Sequence, residues 1–122
     1  MNSRQKGKRG ELELVHILRE YGFDVRRGQQ YCGANGDADI VGIDGLHIEC
    51  KRVEKLNINE ALMQSTQDAK ENEIPCVMHR RNGEPWKVTL WLDHFVNVCE
   101  VDTIQYRISR NRPEWAEMES EE

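Results

Sequence analysis

The chain has 122 residues, 38% of them hydrophobic and 32% charged, which fits a globular protein with one core and no room for a second domain. No apolar run approaches the roughly 20 residues of a membrane helix, and the basic N-terminus lacks the apolar stretch of a secretory signal. A cytoplasmic protein without a membrane partner is expected. The formal net charge of -5 opposes a nucleic-acid partner only until its distribution is read: five acids and no base in residues 113–122 carry all of it, leaving residues 1–112 formally neutral with local basic clusters. A single domain over 1–112 and a mobile acidic tail over 113–122 are therefore expected.

Residues 8–21 have helical periodicity, with Leu14, Val15, Leu18 and Tyr21 on one stripe flanked by Leu12 and Ile17. Glu11 falls on that stripe and Glu13 on the opposite, polar side. Glu11 is either a first-turn acid favoured by the helix dipole or a functional group turned toward the core. Gly22 can end the helix, "FDVRRG" reads as a short strand, and "QQYCGANGD" as a loop. Strands over 39–43 and 46–52 follow, joined at Asp44-Gly45. Asn59 is a plausible N-cap for a helix to about residue 71 with Leu62, Thr66 and Ala69 on one face. "IPCVMHRR", an Asn82-Gly83 turn and "WKVTLWL" form a second strand pair, with Trp86 and Trp91 serving core packing or a dimer face. "DHFVNVCE" reads as a short helix capped by Asp93, and "TIQYRI" as one further strand. The order αβββαββα points to an α/β (α+β) fold, a mixed central sheet flanked by helices. Cys32, Cys50, Cys76 and Cys99 are widely spaced, with no CxxC pair or zinc-spaced His, so free and mostly buried thiols are expected.

The chemistry concentrates in "DADIVGIDGLHIECK". Alternation places His47, Glu49 and Lys51 on one face of their strand and Ile48 and Cys50 on the other. An edge strand with a surface ion pair would explain Glu49 and Lys51 alone. Asp39 enters the sheet beside them. A strict two-residue turn pairs Asp39 with Cys50 and puts its carboxylate on the wrong face; a three-residue loop or a bulge at Gly42 or Gly45 shifts the register by one and brings Asp39 beside Glu49 or Lys51. The functional reading requires that irregularity, with Asp37 as the fallback ligand. Two carboxylates on neighbouring strands, with Glu11 from the packed helix, make an oxygen cage for Mg²⁺ or Mn²⁺. A lysine one strand step away completes the equipment for phosphodiester hydrolysis.

"DADI", eight residues, then "ECK", behind a helix carrying Glu11, resembles the PD-(D/E)XK nuclease superfamily, with Ala38 in place of the motif's proline. More closely, "KGKRGELELVHILREYGFDVRR", "DADIVG" and "HIECKR" are similar to archaeal Holliday junction resolvases and related phage and prophage proteins, through about residue 80. The resemblance implies a restriction-endonuclease-like core and a Mg²⁺-dependent, structure-selective endonuclease with no small-molecule cofactor. It implies Glu11, Asp39, Glu49 and the Cys50 backbone carbonyl as metal ligands, Lys51 as the catalytic lysine, and Gln64 near the metal or phosphate. It further implies a homodimer on branched DNA, for which Lys6, Lys8 and Arg9 form a basic arm and Arg26, Arg27, Arg52 and Lys55 contact phosphates. A nuclease for duplexes, flaps or single strands, or a non-catalytic DNA-binding module on the same fold, would share these residues.

Overall fold

The computed structural model describes residues 3–29 and 38–99. The elements are α1 (Ser3–Glu20), β1 (Arg26–Arg27), β2 (Ile40–Val41), β3 (Leu46–Arg52), α2 (Ile58–Asp68), β4 (Ile74–Arg80), β5 (Lys87–Thr89) and α3 (Leu92–Cys99), in the expected order. Cys32, the fallback Asp37, the "TIQYRI" strand and the acidic tail lie outside the described residues. Two compact units divide the chain, Met1–Leu90 and Trp91–Glu122. No helix among the described residues is long and apolar enough to cross a membrane.

In the first unit the sheet runs β1-β2-β3-β4-β5. β3 and β4 are parallel, as the α2 crossover between them allows; the other neighbours are antiparallel. Strand alternation then sorts the faces. Ile48 and Cys50 of β3, with Cys76 and Met78 of β4, meet Leu14 and Val15 of α1 in the main core, together with Val25 and Ile40. Val77, opposite Glu49 in the β3–β4 register, meets Ala61 and Leu62 of α2 on the other face. Ser65 of α2 is fully buried, and its hydroxyl donates to the His47 and Cys76 carbonyls at 3.3 and 3.2 Å, tying the helix across both strands.

The β2–β3 register pairs Ile40 with Ile48, one step from the strict two-residue hairpin. Continued outward it leaves residues 43–45 as a three-residue loop, closed by the Leu46 amide donating to the Ile43 carbonyl at 3.2 Å. Gly42 permits it: its φ is +123°, and a Cβ there would collide with the Asp24 carbonyl.

Several local expectations give way to tertiary contacts. α1 begins at residue 3, not 8, and ends at Glu20, because the Gly22 and Phe23 amides turn back to the Arg19 and Leu18 carbonyls. Tyr21 therefore leaves the stripe and is 75% exposed. Glu13 does not point to open solvent. It sits 3.5 Å from Arg52 and 3.3 Å from Arg80 and accepts a 3.0 Å bond from the Trp86 indole, joining α1 to the ends of β3 and β4. Trp86 also packs on the main core, and Gly10, buried, lets α1 approach β3, since a Cβ there would lie 2.8 Å from the Arg52 Cβ. α2 is capped by Asn57, whose side chain accepts from the Glu60 amide at 3.1 Å, and its packed residues are Ala61, Leu62 and Ser65; Thr66 is exposed. It stops at Asp68, before the expected residue 71, with Ala69 as C-cap. Asp93 lies in the first turn of α3 and does not cap it: the first helical bond runs from the Phe95 amide to the Trp91 carbonyl. Cys50 and Cys76 are buried free thiols, and burial pushes both to higher pKa.

Candidate active site

At the open end of β2 the backbone and side chain of Asp39 part company. Its carbonyl still accepts from Gly28 at 2.9 Å, extending the β1 ladder, while its Oδ2 accepts from the Cys50 amide at 2.9 Å. A carboxylate thus replaces one rung between β2 and β3. A strand residue sends its amide and carbonyl to the same side, so the Cys50 carbonyl shares the edge that faces Asp39. Asp39 is 7% exposed, and the next step of the register sets it against Glu49, with which it shares a hydrogen bond.

The electrostatics follow from that crowding. Burial, then the Glu49 charge, raises the Asp39 pKa to about 7; the Cys50 amide bond opposes this, and the shared hydrogen bond and the Glu11 charge add to it. Glu11 reaches the same place from α1, where its Oε1 accepts from Arg27 Nε at 2.9 Å. A cleft of ≈ 310 Å³ is lined by Glu11, Asp39, Cys50 and Lys51, with Lys6 and Arg52 at its wall. Glu49 touches this group through Asp39, and its Oε1 lies 2.9 Å from His47 Nε2.

His47 had no assigned role in the sequence, although alternation placed it on the face of Glu49. It is 3% exposed and stands between carboxylates, with Glu73 3.7 Å from its Nδ1. The hydrogen bond to Glu49 is the largest cause raising its pKa; burial opposes it, and the charges of Glu49, Glu73 and Asp68 add to it. Gln64 is not brought to the cleft lining: it is exposed on α2 and donates to Asp68 Oδ2 at 2.9 Å. Of the basic residues, Lys6 lines the cleft, Lys8, Arg9, Arg26 and Lys55 are exposed, Arg27 is held by Glu11, and Arg52 is turned toward Glu13.

Among the described residues, His47, Glu49 and Asp68 bring donor atoms within 4.8 Å of one another. The expected set of Glu11, Asp39 and Glu49 does not close to that distance; with the Cys50 carbonyl it offers only oxygen, the donor chemistry of a hard divalent ion, and a buried carboxylate crowded by two others is stabilised when a cation joins it. Glu49 is common to both.

A mixed sheet whose central strand bears E-x-K, with an aspartate against it and a glutamate from the preceding helix, defines the PD-(D/E)XK nuclease superfamily. The profile of the archaeal Holliday junction resolvase (hjc) family matches residues 2–119. The chain belongs to that family of metal-dependent junction-resolving nucleases. In fold it is similar to the solved structure of Hjc, a Holliday junction resolvase from the archaeal hyperthermophile Archaeoglobus fulgidus, with 25% identity over 70% of this chain and 72% of that one and a TM-score of 0.53. Comparison with curated protein sequences returns no match.

Proposed function

We propose that this chain is a Mg²⁺-dependent endonuclease that acts as a homodimer on four-way DNA junctions, nicking opposing strands, with Mn²⁺ able to replace Mg²⁺. Residues 1–112 form the nuclease domain in this reading, with 113–122 as its tail. The observation that carries it is Asp39, buried against Glu49 and bonded to the amide of the E-x-K middle residue. Glu11, Asp39, Glu49 and the Cys50 carbonyl would hold the ion, which when bound polarises the phosphoryl oxygen and lowers the pKa of a water. Lys51, on the cleft wall, offsets negative charge that builds on the phosphate. Lys6 meets the phosphate from α1, and Lys8, Arg9, Arg26, Arg27, Arg52 and Lys55 contact the backbone further out. Gln64 acts here through Asp68, whose carboxylate it binds.

The test is cleavage and binding of an end-labelled four-way junction by the wild type, Asp39→Asn and Glu49→Gln, with Mg²⁺, Mn²⁺ or EDTA. Both variants should lose cleavage by about 10³-fold or more while binding the junction in EDTA as the wild type does. Cleavage retained by both would remove the site; equal cleavage of a linear duplex by the wild type would remove junction selectivity.

A further inference from the structure

A larger cleft, of ≈ 680 Å³, lies beside the one that holds Asp39. It opens between the C-terminal ends of β3 and β4 and the start of α2. Val53 lines both clefts, so the two adjoin there. Lys55, Arg80, Arg81 and Lys87 supply four cations to it against one acid, Glu54, whose carboxylate already accepts from the Asn82 amide at 3.2 Å.

The cations differ in how they are held. Arg80 is fixed, with Glu13 at 3.3 Å and the Trp86 ring 6.0 Å below its guanidinium. Arg81 pairs only with Glu84 on the surface, at 3.3 Å, an exposed pair that a phosphate can displace. Among the described residues Lys55 and Lys87 have no ion-pair partner. One anchored guanidinium beside an exchangeable arginine and two unpaired lysines suits a repeating anion whose phosphates vary in position. The first turn of α2 borders the cleft and adds its dipole to the field.

We propose that this cleft is a second phosphodiester-binding subsite, which takes the backbone of the nucleic-acid strand continuing from the cutting cleft, with the β4–β5 hairpin as its clamp. This rests on reading the Asp39 and Lys51 cleft as the cutting centre, from which a strand crossing Val53 enters the second cleft.

The experiment is fluorescence anisotropy of a labelled four-way junction in EDTA between 50 and 200 mM salt, with nicking in Mg²⁺ measured in parallel. The variant pair Arg81→Glu with Lys87→Glu is compared with Lys70→Glu, an exposed residue remote from this cleft. The pair should lower the salt slope by about 2 and weaken binding by about tenfold or more, while nicking at saturating junction keeps its rate. If charge reversal unfolds the protein, Lys55→Gln with Lys87→Gln should lower the slope by the same amount. A slope and affinity equal to those of Lys70→Glu would overturn the subsite. Failure of the catalytic reading looks different: the wild type would cut nothing, while the cleft variants would still lose affinity.

Discussion

Asp39 shows how one side chain links stability to chemistry. Its folded-state pKa, raised to about 7 by burial and by Glu49, lies above that of the unfolded chain, so folding takes up a proton as pH falls. That stabilisation is complete below the unfolded carboxylate range and is lost as pH rises through about 7. Without a divalent ion the melting temperature should therefore fall between pH 5.5 and pH 8, by roughly 5 °C or more, and Mg²⁺ should recover it at pH 8 but not at pH 5.5. Asp39→Asn keeps an acceptor for the Cys50 amide and carries no charge, so it should melt higher than the wild type at pH 8 without Mg²⁺ while losing cleavage. A flat pH profile in the wild type would contradict this account of the site.

His47 gives a second test at the same scale. Its 2.9 Å contact fixes one oxygen of Glu49 and so sets where the other can go. His47→Ala should raise the Mg²⁺ concentration for half-maximal nicking by about tenfold, and His47→Gln, which still donates, should recover part of the loss. Unchanged Mg²⁺ dependence in His47→Ala would remove the positioning role. Glu11, Asp39, Glu49 and Lys51 could be read as a group because they lie on one helix and two adjacent strands. The surroundings of His47 could not, because Asp68 and Glu73 arrive from α2 and the start of β4, more than 20 residues away in the chain.

At the scale of elements, one reading rested on chemistry alone. Asp39 could join Glu49 only if the hairpin departed from a two-residue turn, and the Ile40–Ile48 pairing supplies that shift. The α2 cap was misread as Asn59, although a signal was present: Asn57 stands three residues before Glu60, the spacing of a capping pair, whereas Asn59 has no such partner. Asn57→Ala should destabilise by about 1 kcal/mol in urea unfolding. The role of Glu13 was not legible, because a helical wheel places it off the stripe and its partners lie 39 to 73 residues away. Gly10 depends on the same close approach. Gly10→Ala should destabilise by about 1–3 kcal/mol and lower cleavage more than junction binding, since it pushes α1, and Glu11 with it, away from β3. Equal losses in both would place Glu11 outside the chemistry.

At the scale of the whole molecule, one core serves both stability and function: α1 buries Leu14 and Val15 and on the same side delivers Glu11 to the open end of β2 and β3. The net charge misleads here, since the acids that dominate it lie in residues 113–122 while the two clefts are walled by Lys6, Lys51, Lys55, Arg81 and Lys87. Junction selectivity belongs to this scale alone: in the proposed reading Asp39, Glu49 and Lys51 act on any phosphodiester placed on them, and a pair of such sites related by a two-fold axis would select a branched substrate. The most direct measurement is digestion of a supercoiled plasmid that extrudes a cruciform, in Mg²⁺ and at limiting enzyme. Paired cuts in opposing strands during one encounter should give linear plasmid from the start, cut at the cruciform, with none from the Asp39→Asn variant. Nicked circles alone, or cuts scattered over the duplex, would contradict the account.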